Sequence, residues 1–328
     1  MSLSNIATTE RADSFLHKVK RLCSSYPFLP ALLILILLFL LNGLFNASSV
    51  SFRGVSGLLS TYLALVCLAI GQTYVVFAGD IDLSAGTILS LVNVVIITLM
   101  NQFGGDGLST FGIMGIGILV GAACGLFNGL LVAWLRLQAI VATFATSIFF
   151  TGVALYVLPV AGMPAPTIFW QTYFGSIFGV PFVFYVVLAL AVMLHTLAKT
   201  RLVVELLAVG DDQKAAYQSG IAVTQTRIKG YVICGVFASL AAFCLTGDTA
   251  SGDPLVGSVM TLSSVAAVVL GGSMLSGGFG TTLGSVFGAL TIGLINSLVY
   301  FMGTPPSWQN FVQGLSIFNC VNAWRNHE

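Results

Sequence analysis

Apolar stretches run along the chain at about 28–45, 55–78, 84–103, 111–135, 139–159, 180–198, 230–247, 256–273, 281–302 and 307–324, with short polar breaks between them. Each approaches the roughly 20 residues a helix needs to cross the hydrocarbon core of a bilayer. The pattern predicts an all-α polytopic membrane protein with about ten transmembrane helices. The eighth stretch is thinned by Ser263, Ser264, Gly271 and Gly272, and the tenth carries Gln309, Asn310, Gln313, Asn319 and Asn322. The amides of that last span demand protein or water as neighbours rather than lipid. One long polar interruption stands out, Lys199 to Lys229, and it holds Lys199, Arg201, Lys214, Arg227 and Lys229.

Composition supports the membrane reading. Charged residues make up 7% of the chain and mean hydropathy is +1.00, against about 25% charged residues in a soluble domain. The net charge of +1 carries no nucleic-acid signal. Cys23, Cys67, Cys124, Cys234, Cys244 and Cys320 show no CxxC and no spacing with His that suggests a metal site; within apolar spans cysteine acts as a small hydrophobe. Residues 1–27 are polar, and the apolar run after them is too long for a signal-peptide core and lacks an A-x-A-like cleavage site, so it is expected to be retained.

Positive charge orients the spans. With the N-terminus inside, Arg11, Lys18, Lys20, Arg21, Arg136, Lys199, Arg201, Lys214, Arg227, Lys229 and Arg325 all fall on the cytoplasmic side, and only Arg53 falls outside. The layout expected is an N-terminal cytoplasmic tail (1–27), a first repeat plus sixth span (28–198), a cytoplasmic loop (199–229), the remaining spans (230–324) and a short cytoplasmic tail (325–328).

An internal repeat underlies this layout. Asp82-x-x-x-Gly86-Thr87-Ile88-Leu89-Ser90-Leu91 matches Asp253-x-x-x-Gly257-Ser258-Val259-Met260-Thr261-Leu262, and Gly125-Leu126-Phe127-Asn128-x-Leu130 matches Gly293-Leu294-Ile295-Asn296-x-Leu298. The pairs open spans three and eight and lie within spans four and nine. A five-span repeat is odd, so the two halves are expected to be inverted, an arrangement common in transporters.

Within the polar loop, AVGDDQKAAYQSGI (208–221) reads as a short helix with Asp211 or Asp212 at its N-cap and Gly220 just past its C-terminus. Ala215, Ala216 and Ser219 make a small-residue face, flanked by Lys214 and Gln218. The run KAAYQSG (214–220) resembles the EAA-x-x-x-G coupling motif of ABC importer permeases. GDIDLSAGTILSL (79–91) and AAVVLGGSMLSGGFGTTLGSVFGAL (266–290) are similar to two further segments of the ribose-type monosaccharide permeases. The likeness runs from residue 28 to about 318. Three departures accompany it: Lys214 stands where the family usually has Glu, Asp80 replaces a glycine, and the last residues are more polar than the family's final helix.

The resemblance implies a permease subunit of an ATP-driven importer for a monosaccharide or related polyol, in the bacterial inner membrane. Its expected partners are a separate ABC ATPase, a periplasmic or extracellular sugar-binding protein, a second permease chain (identical or paralogous) and the lipid bilayer. No cofactor is expected. Asp211, Lys214, Ala215, Ala216, Ser219 and Gly220 are the candidate ATPase-coupling residues.

The other polar positions are weighed from the residues themselves. Gly272 and Gly278 belong to a glycine-rich stretch with no G-x-x-x-x-G-K-[ST] anywhere, so it is read as a tight turn and not a phosphate loop. Asp82 and Asp253 open their spans and are expected to cap helix N-termini. Gln72, Asn93, Asn128 and Asn296 are amides inside spans, suited to bridging helices or to lining a polar path. His17, His195 and His327 have no catalytic partner in view. An ion-coupled secondary transporter is the alternative function. It needs mid-span ionisable residues, which are nearly absent here.

Overall fold

The computed structural model describes residues 28–104 and 107–303, together with Phe311 and Gly314. The N-terminal tail, almost all of the tenth predicted span and the C-terminal tail lie outside the described residues.

The chain is a bundle of helices. In order they are α1 (Leu29–Phe45), α2 (Phe52–Phe77), α3 (Ala85–Phe103), α4 (Gly107–Gly129, continued by a π turn over Leu130–Trp134), α5 (Ala139–Val157), α6 (Thr167–Phe174), α7 (Phe182–Ala198), α8 (Arg201–Asp211), α9 (Gln213–Gln218), α10 (Val223–Thr249), α11 (Ser258–Leu270) and α12 (Thr282–Phe301). Among the described residues six helices are long and apolar enough to cross a membrane; α7 and α8 pass that test only when taken together, and they are bent by 66° at their junction. α1 and α11 are apolar but shorter. This is an all-α polytopic membrane protein. Among the described residues the only strands are two ladders of two residues each, Met163–Pro164 with Ser251–Gly252 and Ser176–Ile177 with Val180–Pro181.

α2 and α10 form the centre. α10 packs along α2, α3 and α4, while α12 packs against α1, α2 and α11. The core holds Leu68, Ile70, Tyr74 and Phe77 of α2, Ile88, Leu89, Ile96 and Ile97 of α3, and Tyr231 and Phe237 of α10. Tyr74 stacks on Phe237 at a centroid distance of 6.2 Å. Small residues let the backbones close in: a Cβ on Gly121 of α4 would strike the Gly235 carbonyl of α10, and one on Gly235 would strike that of Gly121. Such contacts replace the hydrophobic drive that lipid removes from helix association.

α5 is the least enclosed of the long helices. It shows Ile140, Val141, Phe144, Ile148, Phe149 and Tyr156 to the surroundings. In a membrane such a face meets lipid or another protein.

Most spans lie close to their apolar stretches. Two differences have physical causes. α10 begins at Val223 rather than near 230, because the polar residues of its first turn are tied to the protein: Thr226 Oγ1 donates to Glu205 Oε2 at 3.2 Å and Arg227 pairs with Asp80. α8 occupies what reads as polar loop, because Leu206 and Val209 make one buried face between Arg201 and Asp211.

Candidate coupling surface and buried polar core

The short helix foreseen in the polar loop is α9. Asp212 is its N-cap: Oδ1 accepts from the backbone N–H of Lys214 at 2.7 Å and of Ala215 at 3.2 Å. At the other end Gly220 adopts φ +85°, and the N–H groups of Gly220 and Ile221 donate to the carbonyls of Tyr217 and Ala216. Only glycine reaches that conformation without a Cβ penalty. Asp211, Lys214, Ala215, Ser219 and Gly220 are exposed, but Ala216 is buried and faces the protein's own core. Buried Ala216 breaks the small-residue face, and Ala215 and Ser219 are exposed beside the larger Gln213, Lys214, Tyr217 and Gln218. Tyr217, at 74% exposure, is the large apolar element of this surface.

α9 has only two turns and draws its order from what it is joined to. The joint is a backbone contact between three segments. A Cβ on Gly210, at the end of α8, would overlap the Phe77 carbonyl at the end of α2. A Cβ on Gly277 would come within 2.6 Å of the Gly79 nitrogen. Gly278 adopts φ +76° and donates its N–H to the same Phe77 carbonyl at 3.2 Å. The glycine-rich stretch is thus a turn, with Gly272 at φ +84° where it leaves α11. It locks the end of α8, just before α9, onto the α2–α3 loop.

That α2–α3 loop carries the polar core. Asp80 accepts from Arg227 through both carboxylate oxygens, with Nη2 at 2.8 Å from each and Nε at 3.0 Å from Oδ2. Burial pushes the Asp80 carboxyl above the ordinary carboxylate range, and the Arg227 guanidinium works against that rise. Such a pair depends on both members, since either alone is left as a desolvated charge.

Two residues further on, Asp82 is fully buried. Its Oδ1 accepts from the N–H of Ser84 at 2.8 Å and from Ser84 Oγ at 2.7 Å. Asn128 Nδ2 donates to Ser84 Oγ at 2.6 Å and reaches Asp82 Oδ2 at 3.5 Å. With its amide turned to satisfy both partners, Gln72 donates to the Asp82 carbonyl at 3.2 Å and accepts from the Asp82 N–H at 3.0 Å. Gln72, Asp82 and Asn128, picked out separately in the sequence, meet at one point between α2, α3 and α4.

The second repeat has a related arrangement. Asp253 Oδ1 accepts from the Leu255 N–H at 2.8 Å, and the Asp253 N–H donates to Asn93 Oδ1 at 2.9 Å. Asn93 Nδ2 donates to Thr246 Oγ1 at 2.7 Å. The N-cap positions themselves fall on Ser84 and Gly257, neither with a side-chain cap bond. Asp82 and Asp253 instead close the turn before each helix, because an Asp side chain reaches the N–H two residues on as readily as it caps. Asn296 is half-buried on α12. Sequence reasoning missed Asn42, which is buried on α1 and donates to the Leu294 carbonyl of α12 at 3.1 Å; a lone amide in a run of leucine is its only sequence signal. No group of three or more His, Cys, Asp and Glu among the described residues is placed to hold a metal ion.

A family described as permease components of the branched-chain amino acid transport system matches residues 54–320. The chain belongs to this family. Among its relatives is the autoinducer 2 import system permease protein LsrC of Yersinia enterocolitica, 32% identical over 295 residues that cover 89% of this chain and 80% of the relative. LsrC of Yersinia pestis is likewise 32% identical, over 89% of this chain and 82% of its own length. No solved structure matches the chain. The protein is thus a permease subunit of an ABC importer, a non-catalytic translocation subunit of a kind that works with an ATPase and a binding protein. Nothing in these relationships favours the ion-coupled alternative.

Proposed function

We propose that this permease carries a small, hydroxyl-rich solute across the bacterial inner membrane, driven by an ATPase that grips α9. The observation that carries the proposal is the rigid joint behind that helix. α9 is capped by Asp212, and the residue before its cap follows directly on Gly210, which abuts Phe77. A push on α9 therefore reaches the α2–α3 loop, where Asp80 and Asp82 anchor α10 and α4. Translocation then follows from a shift between two packings of the same helices, biased by ATP from inside and by the loaded binding protein from outside.

The fuller architecture belongs to the same proposal. It has ten spans as two inverted five-helix repeats, both termini inside, residues 199–229 as the coupling loop, and two permease chains with the path between them. Support for the inversion comes from Gly86 and Gly257, which are matched in the repeat and lie against each other. Gln72, Asn93 and Asn128 are fully buried and bonded within the chain. We assign them to holding the helices around the path. Asn296 is kept as the residue matching Asn128 in the second half. For the solute, the role printed for the Yersinia relatives makes autoinducer 2 the first compound to try, followed by free pentoses.

The test is uptake into proteoliposomes holding the permease and its ATPase, with the binding protein outside and ATP inside. Uptake that needs all three, and ceases when ATP is withheld, is the expected result. Robust uptake by the permease alone on an ion gradient overturns the proposal.

A further inference from the structure

Beside α9 lies an open groove of about 1200 Å³, walled by the Gly79–Ile81 loop, the α4–α5 turn, α9 and the first turn of α10. Four charged residues line it: Asp80, Arg136, Lys214 and Arg227. Asp80 and Arg227 neutralise each other. Asp212, the acid nearest Lys214 in the chain, is turned back onto the N–H groups of α9. Glu205 accepts from Thr226. Arg136 and Lys214 are exposed, and among the described residues neither is in an ion pair. The groove is therefore positive, with one free cation on each of two walls.

The position of Arg136 is itself unusual. α4 ends in the π turn Leu130–Trp134, and Arg136 follows in the left-handed region at φ +56°. A glycine meets no penalty there, whereas an arginine does. π turns and left-handed non-glycine residues are both enriched at functional sites. Here the two together set a guanidinium at the rim of the groove, on the wall formed by the α4–α5 turn. Gln138, Gln213, Gln218 and Gln225 line the same groove with further hydrogen-bonding capacity.

We propose that Arg136 and Lys214 form a two-point site for carboxylates of the ATPase subunit, and that this site selects which ATPase the permease accepts. The inference rests on the reading of α9 as the ATPase-coupling helix and adds the charge of its partner. The motif that KAAYQSG (214–220) resembles carries an acid where Lys214 stands. Lysine at that position inverts the charge presented to the partner, and Arg136 on the facing turn reinforces the inversion. An ATPase groove suited to an acidic helix meets like charge here, which costs affinity. One lined with Asp or Glu meets two cations, one of which is a guanidinium able to hold a carboxylate by two parallel bonds.

The experiment measures binding of the ATPase encoded with this permease to the permease in nanodiscs of neutral lipid, across a range of salt concentrations. Lys214→Glu and Arg136→Glu are each expected to weaken binding about tenfold at low salt, with a flatter salt dependence, as rim charges do. Lys214→Gln and Arg136→Gln give smaller losses in the same direction. Replacing an acid of the ATPase groove by Lys restores binding to Lys214→Glu and weakens it to the unaltered permease. If the permease binds its ATPase and all four variants bind equally well with the same salt slope, the cationic site is overturned. Variants that leave ATPase binding intact but lose affinity for anionic-lipid vesicles overturn it as well, in favour of a headgroup site. Failure of the unaltered permease to bind any ATPase overturns the coupling-helix reading beneath it.

Discussion

Gly86 and Gly257 lie backbone against backbone, and each donates its N–H to a hydroxyl on the other's helix. The Gly86 N–H bonds Thr261 Oγ1 at 3.1 Å, and the Gly257 N–H bonds Ser90 Oγ at 2.8 Å. The four residues are repeat partners: Gly86 corresponds to Gly257 and Ser90 to Thr261. The contact is thus two-fold in character. It joins the first turns of α3 and α11, where N–H groups have no partner within their own helix. Ser90 and Thr261 supply those partners across the repeat boundary.

A side chain at this crossing has nowhere to go. A Cβ on Gly86 would overlap the Gly257 carbonyl, and one on Gly257 would overlap that of Gly86. Gly86→Ala and Gly257→Ala are each expected to destabilise the protein by about 1–3 kcal/mol, the range for overpacking a close contact. Gly112→Ala and Gly115→Ala, where an added Cβ meets nothing within 4 Å, serve as controls. Melting temperature in detergent measures all four. Equal behaviour of the two pairs would show that the crossing is looser than its geometry.

The Asp80–Arg227 pair yields a sharper test. Arg227→Gln leaves a buried carboxylate without its cation and is expected to cost about 3–5 kcal/mol, whereas the double variant Asp80→Asn with Arg227→Gln recovers most of the loss. Chemical denaturation of the purified permease, read as a double-mutant cycle, separates the pair energy from the single losses. Additive losses would mean that the two side chains do not depend on each other.

Gln72 brackets the main chain of Asp82, so its removal orphans a buried N–H and a buried carbonyl at once. Gln72→Leu is expected to cost about 1–3 kcal/mol for each group left unpaired, and membrane abundance to fall with it. Asp82→Ala also removes the acceptor of two Ser84 bonds and is expected to lower abundance in the same way. Normal abundance of Asp82→Ala with abolished transport would instead mark the carboxylate as part of the transport path.

Much of this was readable from residue type alone. The repeat showed itself because both halves need glycine at the same crossing and a hydroxyl one turn on. α9 showed itself because Asp and Gly punctuate a helix for local reasons. α8 was not legible: it lies in the polar interruption from Lys199 to Lys229, and only the packing of Leu206 and Val209 makes it a helix. The inward turn of Ala216 was hidden for the same reason, since spacing places residues on a face but does not say which face the protein covers. The partners of Asp80 and Asn93 are set by long-range contacts with α10, and that of Gln72 by the fold of the α2–α3 loop back onto α2, none of which a local pattern encodes.

The cap of α9 separates local order from charge. Asp212→Ala removes both bonds that start the helix, a loss of about 1 kcal/mol, and a helix this short has little stability to spare. Because Asp212 is exposed and α9 sends only Ala216 into the core, the melting temperature of the permease is expected to fall little. ATP-driven uptake, which needs α9 ordered when the ATPase engages, falls several-fold. Asp212→Ser keeps a capping oxygen without the negative charge and is expected to keep most of the uptake. Gly220→Val forces a β-branched residue into φ +85° and is expected to behave like Asp212→Ala or worse. Uptake and stimulated ATP hydrolysis measured side by side check the series. If Asp212→Ser loses as much as Asp212→Ala, the carboxylate acts through its charge and not through the helix it caps.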